Sequence, residues 1–484
     1  MKPPALELLP KPALLIGDER IAMSSGGHAQ HIYAATGRPT ATFPLAGAAE
    51  IDAAVAASVD GGRHWWGLAP ERRRDTLMRL SFLLREHDDE LTAISMIDTS
   101  TKVRRLGQVC ADTVAYNAGW CDKLGGEVVT AGVSSGFDVA FGVPYGVVGV
   151  IIPWNGPLLI AANIIAPALA AGNACVVKTS ELAPFACQRL GELCLEAGIP
   201  PGVVNVVSGG REAGDALVAH PHVGKIHFTG STRTGRAVAQ RAAATLTPVG
   251  LELGGKSANL VFADGDLELA ARIGLTAAIG LNGQVCTAGT RILVEHSAYD
   301  TVLTRLAELM SGVVVGDPTD RDTQLGPVIS EEAADRIVGI VSTAVGEGAG
   351  RLITGGRRLG GELADGFFIS PTVLADVAPD SDVAQEEIFG PVLTVTPFRD
   401  EADAIDIANG TAYGLAGYVQ TADAARARRV AAALDVGMVY VNGGLPAHPA
   451  GAPFGGVKAS GYGRTGGRTG IEEFQQPKNV WMAQ

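Results

Sequence analysis

The sequence contains no CxxC pair. Its six cysteines (Cys110, Cys121, Cys175, Cys187, Cys194 and Cys286) show no zinc-like spacing with histidine, so no metal is expected. Most of them sit inside helical or strand-like runs, which suits reduced thiols in a cytoplasmic protein. It also lacks a basic stripe. There are 38 Lys and Arg against 51 Asp and Glu, a net charge of -13, and nucleic acid is excluded as an expected partner. The strand-to-helix turn at Phe228–Gly235 does not spell the GxGxxG fingerprint, and no internal repeat or low-complexity tract is present beyond a general Ala richness. Pro3, Pro4, Glu7 and Lys11 break the apolar core that a signal peptide needs. Charge itself is missing between Asp138 and Lys178, but Pro144, Pro153, Pro157 and Pro167 interrupt that stretch. A membrane span needs roughly 20 continuous apolar residues. The segment therefore reads as a buried strand (146–152), a turn, a buried helix (158–171) and a second buried strand (174–177), and no membrane association is expected.

What is present is enough apolar residue for large cores, 47% of 484 residues. At ~100–200 residues per domain, that length predicts two or three domains. Residues 1–45 have turn residues and little period. Helical patterning covers 48–59, 70–99 and 103–124, and residues 127–141 read as an exposed hairpin. From 146 to 252, strands alternate with helices. The strands fall at 147–152, 175–178, 204–207, 225–228 and 248–252, the helices at 158–171, 184–197, 211–220 and 234–244. That alternation predicts a parallel sheet covered on both faces, with its ligand at the carboxyl ends of the strands. It resumes after Gly255, with strands at 259–262, 292–295, 392–397 and 438–441 and helices at 299–310, 331–347 and 402–408. The tail, 472–484, ends as an apolar strand.

One loop organises the candidate chemistry: Asn282-Gly-Gln-Val-Cys286-Thr-Ala-Gly289. A helical run (267–281) ends there and a strand begins just after. Glycines on both sides permit turns that a Cβ forbids, so the thiol can face a cleft. The plain alternative is a small buried hydrophobe. Four further groups fall at the ends of strands. Phe228-Thr-Gly230-Ser231 precedes a helix whose N-terminus can receive a diphosphate, although Ser231 can equally be an ordinary cap. Lys178 and Glu181 can hold the two hydroxyls of a ribose, or form a surface ion pair. Asn155 offers an amide donor for an oxyanion, or simply a turn. Glu252 ends an apolar strand, where a raised pKa suits a general base; structural carboxylates occur there too.

Together these parts resemble the aldehyde dehydrogenase superfamily. The resemblance rests on Ile152-Pro-Trp-Asn155, Lys178-Thr-Ser-Glu181, Phe228-Thr-Gly-Ser-Thr232, Leu251-Glu-Leu-Gly-Gly-Lys256, Gly283-Gln-Val-Cys286, Glu386-Glu-Ile-Phe-Gly-Pro391 and Pro453-Phe-Gly-Gly-Val-Lys458 with Ser460-Gly461. It implies an α/β fold: a Rossmann-like NAD-binding domain, a second α/β catalytic domain and a small β oligomerisation element. The implied bounds are 1–125 with 143–254 for NAD binding and 255–445 for catalysis. Residues 126–142 and 472–484 are the oligomerisation strands of a homodimer or homotetramer. Residues 446–471 return to the NAD-binding side and the substrate mouth.

The resemblance also implies residue roles. Cys286 is the nucleophile, Asn155 with the Cys286 N–H the oxyanion site, and Glu252 the base that activates water. The cofactor set is Ile152, Trp154, Lys178, Ser180, Glu181, Gly210, Phe228, Gly230, Ser231, Leu253, Glu387 and Phe389. The expected cofactor is NAD rather than NADP, because a 2′-phosphate would meet Glu181. The substrate set is Gly156, Ile160, Asn163, Val285, Thr287, His448 and Phe454. Gly156 stands where many relatives carry an aromatic ring, which predicts a bulky aromatic or long-chain aldehyde. The alternatives are a small polar semialdehyde, or transfer of the acyl group to coenzyme A. Thr465 stands where many relatives carry a glutamate, which leaves Glu252 as the sole expected base.

Overall fold

A computed structural model describes residues 6–130, 136–444 and 449–483. The first large sheet has eight strands, in the order Glu19–Ile21, Leu14–Ile16, Val204–Ser208, Ala174–Thr179, Val147–Ile151, Lys225–Thr229, Val249–Glu252 and Gly461–Tyr462. The five central strands run parallel; Leu14–Ile16 joins them antiparallel with Glu19–Ile21 as the outer edge, and Gly461–Tyr462 is the antiparallel edge on the other side. The chain winds outward from Val147–Ile151 in one direction, then returns to lay Lys225–Thr229 on its other side. Such a reversal opens a crevice at the strands' carboxyl ends.

The second sheet has seven strands: Arg351–Thr354, Thr372–Ala375, Val392–Phe398, Arg291–Glu295, Ala258–Val261, Ala416–Gln420 and Met438–Val441. All its pairings are parallel except the first. A third sheet is antiparallel and three-stranded, joining Gln475–Met482, Phe137–Pro144 and Gly126–Val129. It leaves Val128, Phe137, Trp481 and Met482 exposed.

The uncharged stretch resolves as expected into a strand, the helix Pro157–Ala170 and the strand Ala174–Thr179. That helix is apolar nearly all round because it lies between the sheet and the helix Leu106–Ala118. No described helix is long and apolar enough to cross a membrane.

Several expectations needed correction. The helix expected over 70–99 is two, Pro70–Glu86 and Asp88–Thr99, parted at His87. Asp88, Asp89 and Glu90 fill the first turn of the second, where carboxylates favour a new helix N-terminus. The helix expected over 103–124 spans only Leu106–Ala118. The N-terminal region, read as having little period, forms the hairpins Leu14–Ile16 with Glu19–Ile21 and His28–Tyr33 with Arg38–Pro44. Strand Ala416–Gln420 and helix Ala424–Ala433 were not anticipated. Ala416 and Gly417 thin the strand's apolar run, and Gly417 is small because a Cβ there would lie 3.0 Å from Leu434 Cδ1.

Candidate active site

The cysteine loop is built by buried amides. The helix Leu267–Ile279 gives way to one tight turn, Gly280–Gly283, in which Leu281 and Asn282 take positive φ. Asn282 stabilises that conformation with its whole side chain. Its Nδ2 donates to the carbonyls of Ser100 (2.9 Å) and Pro327 (2.7 Å), and its Oδ1 accepts from Gly326 N–H (2.8 Å). Gln284 Oε1 accepts from Ile329 N–H at 3.1 Å. The two glycines of the loop differ in purpose. Gly283 has φ +73°, and a Cβ there would lie 2.3 Å from the backbone of Gly390. Gly289 has no such φ, but a Cβ would meet the Tyr418 ring at 2.8 Å.

Asn155 comes from the other sheet, just beyond the strand Val147–Ile151. Its Nδ2 donates to the Gln284 carbonyl at 2.8 Å, which fixes the amide two residues from Cys286. An amide nitrogen carries two hydrogens, so one remains to meet an oxyanion. Glycines close the same gap from a third side. A Cβ at Gly255 would lie 2.5 Å from the Cys286 carbonyl oxygen, and one at Gly254 would lie 2.4 Å from Glu387 Oε2. The Leu251-Glu-Leu-Gly-Gly motif thus receives both the cysteine loop and the Glu387 carboxylate, whose Oε1 accepts from Gly255 N–H at 3.2 Å.

Cys286 is partly exposed and packs with Tyr440 and Phe454 against Leu415, Ala416, Tyr418 and Met438. Burial pushes its thiol up to about 12, and the charges of Glu387 and Glu252 push the same way. The N–H groups of Cys286 and Thr287 oppose the shift. Glu252 is raised well above its usual range by burial first, with Glu473 adding to the shift and Arg464 opposing it. Among the described residues, neither Glu252 oxygen has a hydrogen-bonding partner. Glu387 is raised to about 7 by burial, against the Gly255 N–H and the charges of Lys256 and Arg336.

A cleft of about 770 Å³ opens at the crevice of the first sheet. Of the expected cofactor residues, Ile152, Lys178, Ser180, Glu181, Gly210, Phe228 and Gly230 line it. Burial lowers the Lys178 ammonium, the Glu181 charge opposes the shift, and Lys178 Nζ donates to the Gly209 carbonyl. Gly210 and Ser231 precede the helices Arg211–Val218 and Thr232–Ala243. Ser231 Oγ accepts from Thr234 N–H at 3.3 Å, so it caps its helix beside the cleft rather than lining it. Leu253 also lies off the cleft wall, where a Cβ on Gly235 would meet it at 2.5 Å. Sequence reasoning missed Arg211, Arg233 and Arg241, which line the cleft and give it positive charge. No short motif marks them, because their spacing only becomes proximity once the two helices dock.

Trp154 and Phe389 meet edge to face, ring centres 5.5 Å apart. Such a pair contributes ~0.5–1.5 kcal/mol. Phe389 is held at φ +55°, a conformation that costs a bulky side chain roughly 1–3 kcal/mol. Its ring, two residues after Glu387, thereby meets Trp154, which lies just beyond the strand Val147–Ile151 of the first sheet.

On the substrate side, the helix Pro157–Ala170 is buried except at Leu159, Ile160 and Asn163, which with Gly156 form one face. Asn163 Oδ1 accepts from Thr113 Oγ1 at 3.2 Å. Thr287 is buried, its carbonyl accepting from Tyr418 OH at 2.8 Å. Val285 is half-buried against the core of the second sheet. His448 lies outside the described residues. Thr465 is buried, its N–H and carbonyl both bonded to Phe454. Among the described residues there is no cluster of His, Cys, Asp and Glu able to hold a metal.

A model of the aldehyde dehydrogenase family matches residues 21–480. The chain is 35% identical to betaine aldehyde dehydrogenase of Staphylococcus aureus, solved in complex with NAD+, with 99% of this chain and 97% of that one covered at a TM-score of 0.96. It is 37% identical to HpcC of Thermus thermophilus, with 99% and 94% covered at a TM-score of 0.95. PnpE of Pseudomonas sp. WBC-3 is 35% identical, with 98% of each chain covered and a TM-score of 0.95.

Proposed function

This chain belongs to the aldehyde dehydrogenase family, and from that premise we propose that it oxidises a bulky aldehyde to its carboxylic acid with NAD. The observation that carries the reading is the 2.8 Å bond from Asn155 Nδ2 to the Gln284 carbonyl. It holds the Asn155 amide against the loop that carries Cys286, which supports reading that amide as the oxyanion donor.

The cleft fits NAD. Two helix N-termini open onto it beside Gly210 and Gly230, Glu181 can accept from ribose hydroxyls, and Arg211, Arg233 and Arg241 balance a diphosphate. Bound NAD supplies the hydride acceptor. Cys286 Sγ, having lost its proton, adds as thiolate to the aldehyde carbon, and Asn155 and the Cys286 N–H hold the developing oxyanion. Hydride loss leaves a thioester on Cys286. Glu252 takes a proton from water, the water oxygen bonds to the thioester carbon, the C–S bond breaks and the acid departs. A base placed to activate water disfavours transfer of the acyl group to coenzyme A.

Gly156 supports the bulky substrate. Among the described residues a Cβ there would meet only Ile160 Cδ1, at 3.9 Å, so none of them fills the space in front of it. We expect Gly156→Phe to lower kcat/KM for a benzaldehyde-type substrate about 10- to 200-fold, with little change for propanal. Equal loss for both would refute the open-tunnel reading. The similarity to betaine aldehyde dehydrogenase favours a second reading, a small polar aldehyde. A panel of aromatic, long-chain, semialdehyde and betaine-type aldehydes, run with both NAD and NADP, separates the two. The first reading requires the aromatic or long-chain substrates to lead, and NAD to be preferred.

The same reading keeps residues 1–125 with 143–254 as the NAD-binding unit, 255–445 as the catalytic unit and 446–471 as the return. Pairing of Gly461–Tyr462 with Val249–Glu252 supports that return. It also makes the three-stranded sheet, with its exposed Val128, Phe137, Trp481 and Met482, a subunit contact. Light scattering at micromolar protein should give a dimer or tetramer; a monomer would contradict the assignment.

A further inference from the structure

Behind Glu252 lies a second acid that the reaction above does not use. Two residues back on the same face of the strand Val249–Glu252 stands Gly250. A Cβ there would lie 3.0 Å from His227 Cδ2 and 3.5 Å from Glu473 Oε1. A Cβ at Gly463 would lie 3.0 Å from the same Oε1, and one at Gly455 would lie 2.7 Å from Glu252 Oε1 and 2.9 Å from Arg464 Cδ. Gly250 and Gly463 thus stand against the Glu473 carboxyl and Gly455 against that of Glu252, and a Cβ at Gly455 would lie 2.8 Å from the Gly463 carbonyl oxygen.

Buried polar atoms are nearly always hydrogen-bonded, to water where protein offers nothing. Glu252 is buried and neither of its oxygens has a protein partner among the described residues. Water is thus its natural partner on this side. Glu473 Oε1 accepts from Lys225 Nζ at 2.8 Å. The Lys225 side chain is 3% exposed and that of Glu473 22%, so the pair links the interior to solvent.

We propose that Glu473 receives, through water held beside Gly250, the proton that Glu252 takes from the attacking water, and passes it to solvent. The proposal rests on the reading of Glu252 as the water-activating base. In deacylation the water oxygen bonds to the thioester carbon and the C–S bond breaks, Cys286 leaving as thiolate. The proton removed from water then sits on Glu252, and the next cycle cannot begin until it leaves. Glu473, paired with Lys225 at 2.8 Å, accepts it and passes a proton on to bulk. No electrons move in this step.

The groups facing Glu473 are consistent with that route. Among the described residues, Lys225 and His227 come from the strand Lys225–Thr229, Tyr145 packs its ring 5.2 Å from Lys225 Nζ, and Glu252 lies within reach of the Glu473 charge with Arg464 beside it. Burial lowers His227 to about 3, so it stays neutral and does not intercept the proton. Arg464 is occupied with the carbonyls of Gly456 and Gly463.

The test compares Glu473→Gln, Glu473→Asp and the double variant Lys225→Met/Glu473→Gln, which removes the lysine that Glu473→Gln alone would leave buried and unpaired. Rapid mixing with NAD and aldehyde should show a full NADH burst in all of them. In Glu473→Gln and the double variant, steady-state kcat should fall roughly tenfold and its solvent deuterium isotope effect should grow, since a proton transfer becomes slower. Glu473→Asp should recover most of the rate. Wild-type kcat and isotope effect in both glutamine variants would overturn the proposal, as would a burst that falls in proportion to kcat. Glu252→Gln run alongside keeps the two readings apart: if it turns over normally, the base assignment fails; if it stalls while both glutamine variants run at full rate, only the relay fails.

Discussion

Cys286→Ala should form no NADH with any aldehyde and still bind NAD. Removing a nucleophile on which the other site groups act costs on the order of 10⁴-fold or more in kcat. No other thiol is placed to replace it. Cys110, Cys121, Cys175, Cys187 and Cys194 are buried, and burial raises every one of them. Binding should survive because the residues lining the cleft come from the first sheet and its helices, with none from the cysteine loop. Stopped absorbance assays and calorimetric titration with NAD check the two halves. Substantial oxidation by the alanine variant would end the mechanism. In the native enzyme the thiol stands at about 12 and Glu252 is also raised. A nucleophile must lose its proton to attack, and a base must be ionised to accept one. Both requirements make kcat/KM and kcat climb with pH through the neutral range; a falling profile there would be inconsistent with either role.

Glu252→Gln should give a burst of about one NADH per site and then nearly stop, because acylation needs no water and deacylation does. General-base removal costs ~10²–10⁴-fold in the step it serves. The substitution is nearly isosteric and breaks no protein hydrogen bond, since among the described residues the carboxyl oxygens have none. A stalled enzyme would therefore report chemistry rather than damage. Mass spectrometry of the stalled protein should find the acyl group on Cys286. Loss of the burst itself would move Glu252 to an earlier step, the deprotonation of the thiol.

The strands of the first sheet were legible because burial on both faces writes them as continuous apolar runs, as in Val147–Ile151 and Ala174–Thr179. The motifs at their carboxyl ends were legible for a related reason: glycine and charge interrupt those runs where the ligand must approach. Harder to see was Ala416–Gln420, a central strand of the second sheet. Its small residues serve helix packing and its Tyr418 hydroxyl supports the cysteine loop, so no run or alternation announces it. Hairpins near the N-terminus were missed because one adds two three-residue strands to the edge of the first sheet and the other is a two-stranded sheet of its own, so neither writes a long apolar run.

The sequence by itself determined the fold class, the cysteine loop, the positions of Asn155 and Glu252, and seven of the residues that line the cleft. Each of these is encoded within a few consecutive residues, through burial pattern, turn chemistry and the order of strand and helix. Only the tertiary structure decided which groups meet across sheets. Asn155 reaches the carbonyl of Gln284, Gly254 makes room for Glu387, and Phe389 takes a strained φ to meet Trp154. Arg211, Arg233 and Arg241 gather at one cleft, and Glu473 comes to lie behind Glu252. Those contacts join residues up to hundreds of positions apart. They depend on close packing between surfaces, and a local pattern carries no record of what the opposite surface will present.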